Sequence, residues 1–215
     1  MYEKLREICW KANLELPALG LVIRTFGNVS AIDREAGVYA IKPSGVEYDK
    51  LRPEDIVIIR LDTGKVVDGR LRPSSDTDTH TELYRAFPHI GGIVHTHSTY
   101  AVAWAQAARA VPLYGTTHAD HLATDIPCTE FMSDQAIQGN YETETGNQII
   151  RCFHENRLDP DEVPDDALVV PIAMMGAPTV LAEKAIGGTE YQKLYDMVSS
   201  FFGKKIYAFM PIEAG

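Results

Sequence analysis

His95 and His97 stand one threonine apart at the end of Gly91-Gly-Ile-Val-His-Thr-His97, an apolar run that reads as a buried strand. Residues two apart in a strand project to one face, so the two imidazoles would lie side by side. Such a pair can be polar core, a surface accident or half of a metal site. Two imidazole nitrogens at a strand end suit zinc, which would need a third protein ligand and, in a catalytic site, an open position. Asp76, His80, His118 and His121 are the candidates for that third place.

Asp76 closes the stretch Arg72-Pro-Ser-Ser-Asp76 before a predicted helix. Ser, Asp and Thr at that place commonly cap a helix. The same helix start can also bind an anion through Ser74, Ser75 and main-chain N–H groups while the carboxylate turns to a metal. The segment from Gly115 to His121 carries His118 and Asp120 in an expected polar loop, where a carboxylate beside histidines could serve as a general acid or base. Gly27-Asn28 and Lys42-Pro-Ser44-Gly45 are polar turns after strands. Together with Ser74 and Ser75 they offer amide, hydroxyl, main-chain and ammonium donors, a set that suits a phosphate.

The elements that must position these groups can be read from periodicity. An amphipathic helix is expected over 2 to 16, with Leu5, Ile8, Cys9, Ala12 and Leu16 on one face. A strand, a Gly-Asn turn and a second strand are expected over 21 to 33, a strand over 38 to 45, and a hairpin over 55 to 69 turning at Asp62-Thr63-Gly64. A short helix over 79 to 87, the His95 strand, a helix over 98 to 108, a strand and turn from 112, and a helix over 133 to 156 broken near Gly139 follow. An apolar strand is expected within 167 to 180. Hairpins come early and strands and helices do not alternate strictly, which favours α/β with an antiparallel or mixed sheet in one domain.

The chain has 215 residues, is 45% hydrophobic and carries a formal net charge of −10. That balance argues against nucleic acid and anionic membrane surfaces as partners, and it makes any anion site a local pocket. Three cysteines in no CxxC pair, no signal-peptide core and no bilayer-length apolar run fit a cytoplasmic setting.

Taken in order, GNVSA, IKPSGV, RPSSDT, GGIVHTHS, GTTHAD, IPCT and GNYETETG closely resemble the L-ribulose-5-phosphate 4-epimerases of the class II aldolase/epimerase family, over about residues 3 to 157. The resemblance implies a three-layer fold with a mostly antiparallel sheet flanked by helices, and a homotetramer acting on a small sugar phosphate. It implies one Zn2+ per subunit and conversion of L-ribulose 5-phosphate to D-xylulose 5-phosphate by retro-aldol cleavage and re-formation of the C3–C4 bond. By motif, His95, His97 and Asp76 would be metal ligands and Asp120 an acid/base group. Gly27, Asn28, Lys42, Ser44, Gly45, Ser74 and Ser75 would hold the substrate. Related aldolases tend to carry glutamate where this chain has Asp76, which favours epimerase over aldolase, the alternative enzyme reading. A non-catalytic scaffold and a metal-dependent hydrolase are the remaining alternatives.

The resemblance also implies a further metal histidine and an acid/base tyrosine downstream. No histidine follows His154, and none of Tyr191, Tyr195 and Tyr207 sits in the family's pattern. A divergent tail or a change of reading frame after about residue 170 are the two expectations for that region.

Overall fold

The computed structural model describes residues 2–119, 124–158, 168–175 and 206–214. The chain opens with helix α1 (Glu3–Ala18), then strands β1 (Asn28–Asp33), β2 (Val38–Ile41), β3 (Val57–Arg60) and β4 (Val66–Asp68). Helix α2 (Thr77–Ala86), strand β5 (Gly92–Thr96), helices α3 (Thr99–Gln106), α4 (Thr116–Ala119), α5 (Asp134–Gln138) and α6 (Tyr141–Glu155), and strands β6 (Leu168–Met175) and β7 (Ile206–Ala214) follow.

The strands form one sheet in the order β4-β3-β2-β1-β5-β6-β7. Pairing is antiparallel from β4 through β5 and parallel from β5 through β7. Alternation along the strands divides the core in two. Tyr39, Ile41, Val57 and Ile59 face Leu83 and Tyr84 of α2, Phe87 just after it, and Ile149 and Phe153 of α6. Val38, Ala40, Ile56 and Ile58 face Leu5 and Cys9 of α1. The result is the expected α/β arrangement of a mostly antiparallel sheet between helices.

Two polar devices and one close contact fix the helices that bear on the site. Buried Asn13 of α1 donates to the Val29 carbonyl at 2.8 Å and accepts from the Val29 N–H at 2.9 Å, which locks α1 beside the start of β1. The Arg34 guanidinium donates to the carbonyls of Tyr84, Phe87 and Ile90 and satisfies the C-terminal end of α2. At Gly146 a Cβ would stand 2.9 Å from Glu82 Cβ and 3.2 Å from the Thr79 carbonyl, so glycine there lets α6 lie directly on α2.

Among the described residues, two expected strands do not form. Residues 21–27 are irregular, because Arg24 and Gly27 take positive φ (56° and 75°) and Phe26 N–H turns back to the Ile23 carbonyl. The stretch from 112 contributes only the bridge Val111–Ile126, and the Asp125 carboxylate takes the Leu113 N–H at 2.8 Å. Helix α4 then occupies Thr116–Ala119, where a loop was expected. The break of the later helix at Gly139 and the hairpin turn at Asp62-Thr63-Gly64 match expectation.

Candidate active site

The site begins where β1 and β5 pair. Asn28 and His95 are register partners, and both are buried. Just before Asn28, Gly27 takes φ 75° with its Cα packed so close that a Cβ would stand 2.7 Å from the His95 carbonyl and 2.5 Å from Val22 Cγ1. Only glycine satisfies both the backbone angle and the approach. The Tyr48 hydroxyl lies between the carbonyls of Phe26 and Gly27, at 2.9 and 2.8 Å, and pins the turn.

A second element comes from two loops zipped together. Ser44 N–H donates to the Arg72 carbonyl at 2.9 Å and Ser74 N–H to the Lys42 carbonyl at 3.0 Å, either side of a Pro43–Pro73 bridge. Those two amides are therefore engaged within the fold, and the loops face the cavity with hydroxyls and the Lys42 ammonium. Lys42 is only 2% exposed, its Nζ 4.7 Å from the centre of the Tyr48 ring. Burial lowers its pKa to about 8, against the pull of Asp76 in the other direction.

Asp76 stands at the N-cap of α2, yet its side chain caps nothing. The Ser74 carbonyl receives Thr77 N–H and hydroxyl instead. The carboxylate turns to His95, whose Nδ1 lies 2.6 Å from Oδ2, and to the Asn28 amide, with the Ser74 and Ser75 hydroxyls each at 3.3 Å. Burial alone would raise its pKa, but His95, His80 and Asn28 together outweigh burial and hold it well below the usual carboxylate range. An ionised acceptor makes His95 Nδ1 the donor, and in the neutral form of the ring Nε2 is then the lone-pair nitrogen. That Nε2 is buried without a partner among the described residues. The His97 ring lies 4.8 Å from the His95 ring, and burial, with His95 adding to it, lowers its pKa to about 4. His97 is thus an uncharged imidazole at neutral pH.

These groups line one cavity of about 320 Å³. It brings together Gly27, Asn28, Lys42, Ser44, Gly45, Ser74, Ser75, Asp76, His95 and His97, whereas Asp120 and three of the four candidates for a third metal ligand, His80, His118 and His121, are not among its described lining residues. Asp120 and His121 lie outside the described residues. His80 is instead a core residue, its Nδ1 2.8 Å from the Ser30 hydroxyl, which in turn meets the Tyr84 hydroxyl at 2.7 Å. His118, on α4, does not line the cavity. Among the described residues no group of three or more His, Cys, Asp or Glu is placed to hold a metal ion. The orphaned His95 Nε2 and uncharged His97 offer two lone-pair nitrogens suited to a metal ion, while Asp76, expected as a further ligand, lies on the other ring nitrogen of His95.

The cavity also contains Thr25, Phe26, Pro43 and Glu142, which sequence reasoning did not single out. Phe26 and Pro43 adjoin residues that were, and Glu142 lies within the GNYETETG stretch. The Thr79 hydroxyl holds Glu142 Oε2 at 3.0 Å. Burial, reinforced by Asp76, raises the Glu142 pKa to about 7.

Comparison with known proteins gives the family. The family model for the class II aldolase and adducin N-terminal domain matches residues 7–161. The L-ribulose-5-phosphate 4-epimerases UlaF of Salmonella paratyphi B and Salmonella typhi are each 55% identical over 162 residues, covering 75% of this chain and 70% of theirs. Among solved structures, an L-fuculose 1-phosphate aldolase is similar with a TM-score of 0.55 at 25% identity, covering 75% of this chain and 91% of its own. The L-fuculose-1-phosphate aldolase of Thermus thermophilus has the same TM-score at 23% identity, covering 71% and 74%. A second family model, the S-Me-THD-like N-terminal domain, matches residues 140–215. That second match begins within the first and runs through the tail. On the extent of the first match and the identity to its epimerase relatives, this chain belongs to the class II aldolase and adducin N-terminal domain family.

Proposed function

We propose that the chain is a zinc-dependent epimerase that converts L-ribulose 5-phosphate to D-xylulose 5-phosphate by breaking and remaking the C3–C4 bond. The observation that carries this reading is the single cavity in which two imidazoles and an ionised carboxylate face a lysine and the serine hydroxyls of two zipped loops. One end suits a phosphate and the other a metal-held sugar. Relatives 55% identical to this chain bear the name L-ribulose-5-phosphate 4-epimerase, which supports the same reading.

His95, through Nε2, and His97 would hold the ion, with the Asp76 carboxylate on His95 Nδ1. A bound zinc ion supplies a Lewis acid for the ketose carbonyl and its neighbouring hydroxyl. Lys42 and the hydroxyls of Ser44, Ser74 and Ser75, with the turns at Gly27 and Gly45, receive the phosphate end. Asn28 has its amide N–H groups on Asp76 and Ser74, and its buried Oδ1 lacks a partner among the described residues. It therefore offers an acceptor, suited to a sugar hydroxyl rather than to a phosphate oxygen. Asp120 exchanges the proton at the C4 hydroxyl as an acid/base group, and its replacement by Asn is expected to lower kcat about 10²- to 10⁴-fold. The proposal includes a homotetramer in the cytoplasm. Among the described residues no helix is long and apolar enough to cross a membrane.

The similarity to an L-fuculose 1-phosphate aldolase favours one second reading, aldol cleavage of a related phosphorylated ketose. Product analysis after incubating the zinc-loaded protein with L-ribulose 5-phosphate tests both. D-xylulose 5-phosphate without free fragments is expected. Accumulation of dihydroxyacetone and glycolaldehyde phosphate would favour the aldolase, and no turnover would leave a non-catalytic scaffold.

A further inference from the structure

We infer that Phe26 is a positioning residue for His97, its ring fixing the plane of the imidazole at the mouth of the cavity. The inference rests on the proposed metal-site reading. The Phe26 and His97 ring centroids are 5.4 Å apart with the planes tilted by 34°, and the His97 and His95 rings are 4.8 Å apart with the same tilt. The three rings form a row that ends on Asp76.

The two histidines are oriented by different means. Asp76 holds His95 through a hydrogen bond to Nδ1, the usual way in which a ligating imidazole is fixed. Among the described residues no hydrogen bond to the His97 ring is seen, so ring packing takes that role. Phe26 is well placed to impose it, because its own backbone is held on both sides. Its N–H donates to the Ile23 carbonyl at 3.1 Å, its carbonyl accepts from the buried Tyr48 hydroxyl, and Gly27 presses on the His95 backbone. An apolar ring, 37% exposed at a polar cavity, is explained by that task.

Co2+ titration, followed through the visible absorption of the bound ion, tests the inference in the wild type, Phe26→Ala and Phe26→Trp, with Tyr48→Phe as a variant that keeps both rings and releases the clamp. Phe26→Ala is expected to weaken Co2+ binding about tenfold or more and to change the absorption spectrum. Phe26→Trp, which restores a flat ring, is expected to stay within about threefold of the wild type, and Tyr48→Phe to fall between the two. Wild-type affinity and spectrum in Phe26→Ala would overturn the inference while leaving the metal site standing. If Phe26→Ala fails to fold, unchanged binding by Tyr48→Phe overturns it. A wild type that takes up no Co2+ overturns both the inference and the metal-site reading.

Discussion

His95 Nδ1 and Asp76 Oδ2 meet at 2.6 Å, both side chains buried, where the start of α2 faces the end of β5. The helix gives up its side-chain cap for this contact, so Asp76 contributes to the site at the expense of α2.

Removing the carboxylate leaves His95 Nδ1–H and the Asn28 amide buried without their acceptor. Asp76→Ala is therefore expected to destabilise the fold by about 1.5–3 kcal/mol, read from urea unfolding at neutral pH. The sign with pH follows from a carboxyl held below its ordinary value of 3.8. Its stabilisation is complete above that value and is lost as the pH falls towards the lower folded-state value, so the gap between wild type and variant should close in acid.

How far this relationship was legible in the sequence differs between its two halves. H-x-H at a strand end announced a shared face for His95 and His97, because the period of a strand is two. Asp76 was ambiguous, since a helix start and a metal site call for the same residue types. Its unused cap position is visible only in three dimensions. The helices and hairpin followed their apolar periods, whereas residues 21–27 carried a strand-like composition that the positive φ of Arg24 and Gly27 overrules. Glu142, inside the GNYETETG stretch, and Phe26, beside Gly27, carried no residue type that by itself marks a site. They reach the cavity through the α2–α6 packing at Gly146 and the Tyr48 clamp, contacts between residues far apart in the chain.

Lys42 predicts how anion binding depends on pH. With its pKa near 8 in the free protein, the ammonium loses its proton above that value, while a bound phosphate dianion would hold the proton more tightly. Affinity for sulfate, a dianion throughout this range, measured by calorimetry, should be flat below about pH 7 and fall as the pH rises through 8 to 9. In Lys42→Met the affinity should be weak and lack that decline.

At Gly27 a methyl group meets both an unfavourable angle and the His95 carbonyl. Gly27→Ala should cost about 2 kcal/mol or more in unfolding free energy. Because the strain falls on β5 at His95, zinc affinity should drop with it. Both are measured on one preparation by chemical unfolding and metal titration.

Glu142 has the opposite sign from Asp76. A carboxyl raised from 4.5 to about 7 binds its proton more tightly in the fold than in the unfolded chain. Its contribution is present in full below about pH 4.5 and is lost as the pH rises to 7. Glu142→Gln should therefore gain stability relative to the wild type across that interval, as shown by thermal midpoints measured from pH 4.5 to 8.

Zinc stoichiometry after dialysis against trace zinc tests the central claim most directly. About one zinc per chain in the wild type, lost in both His95→Asn and His97→Asn, is the result expected of a site built on this pair with Asp76 behind it. A wild type that retains no zinc, or variants that retain it undiminished, would contradict the account.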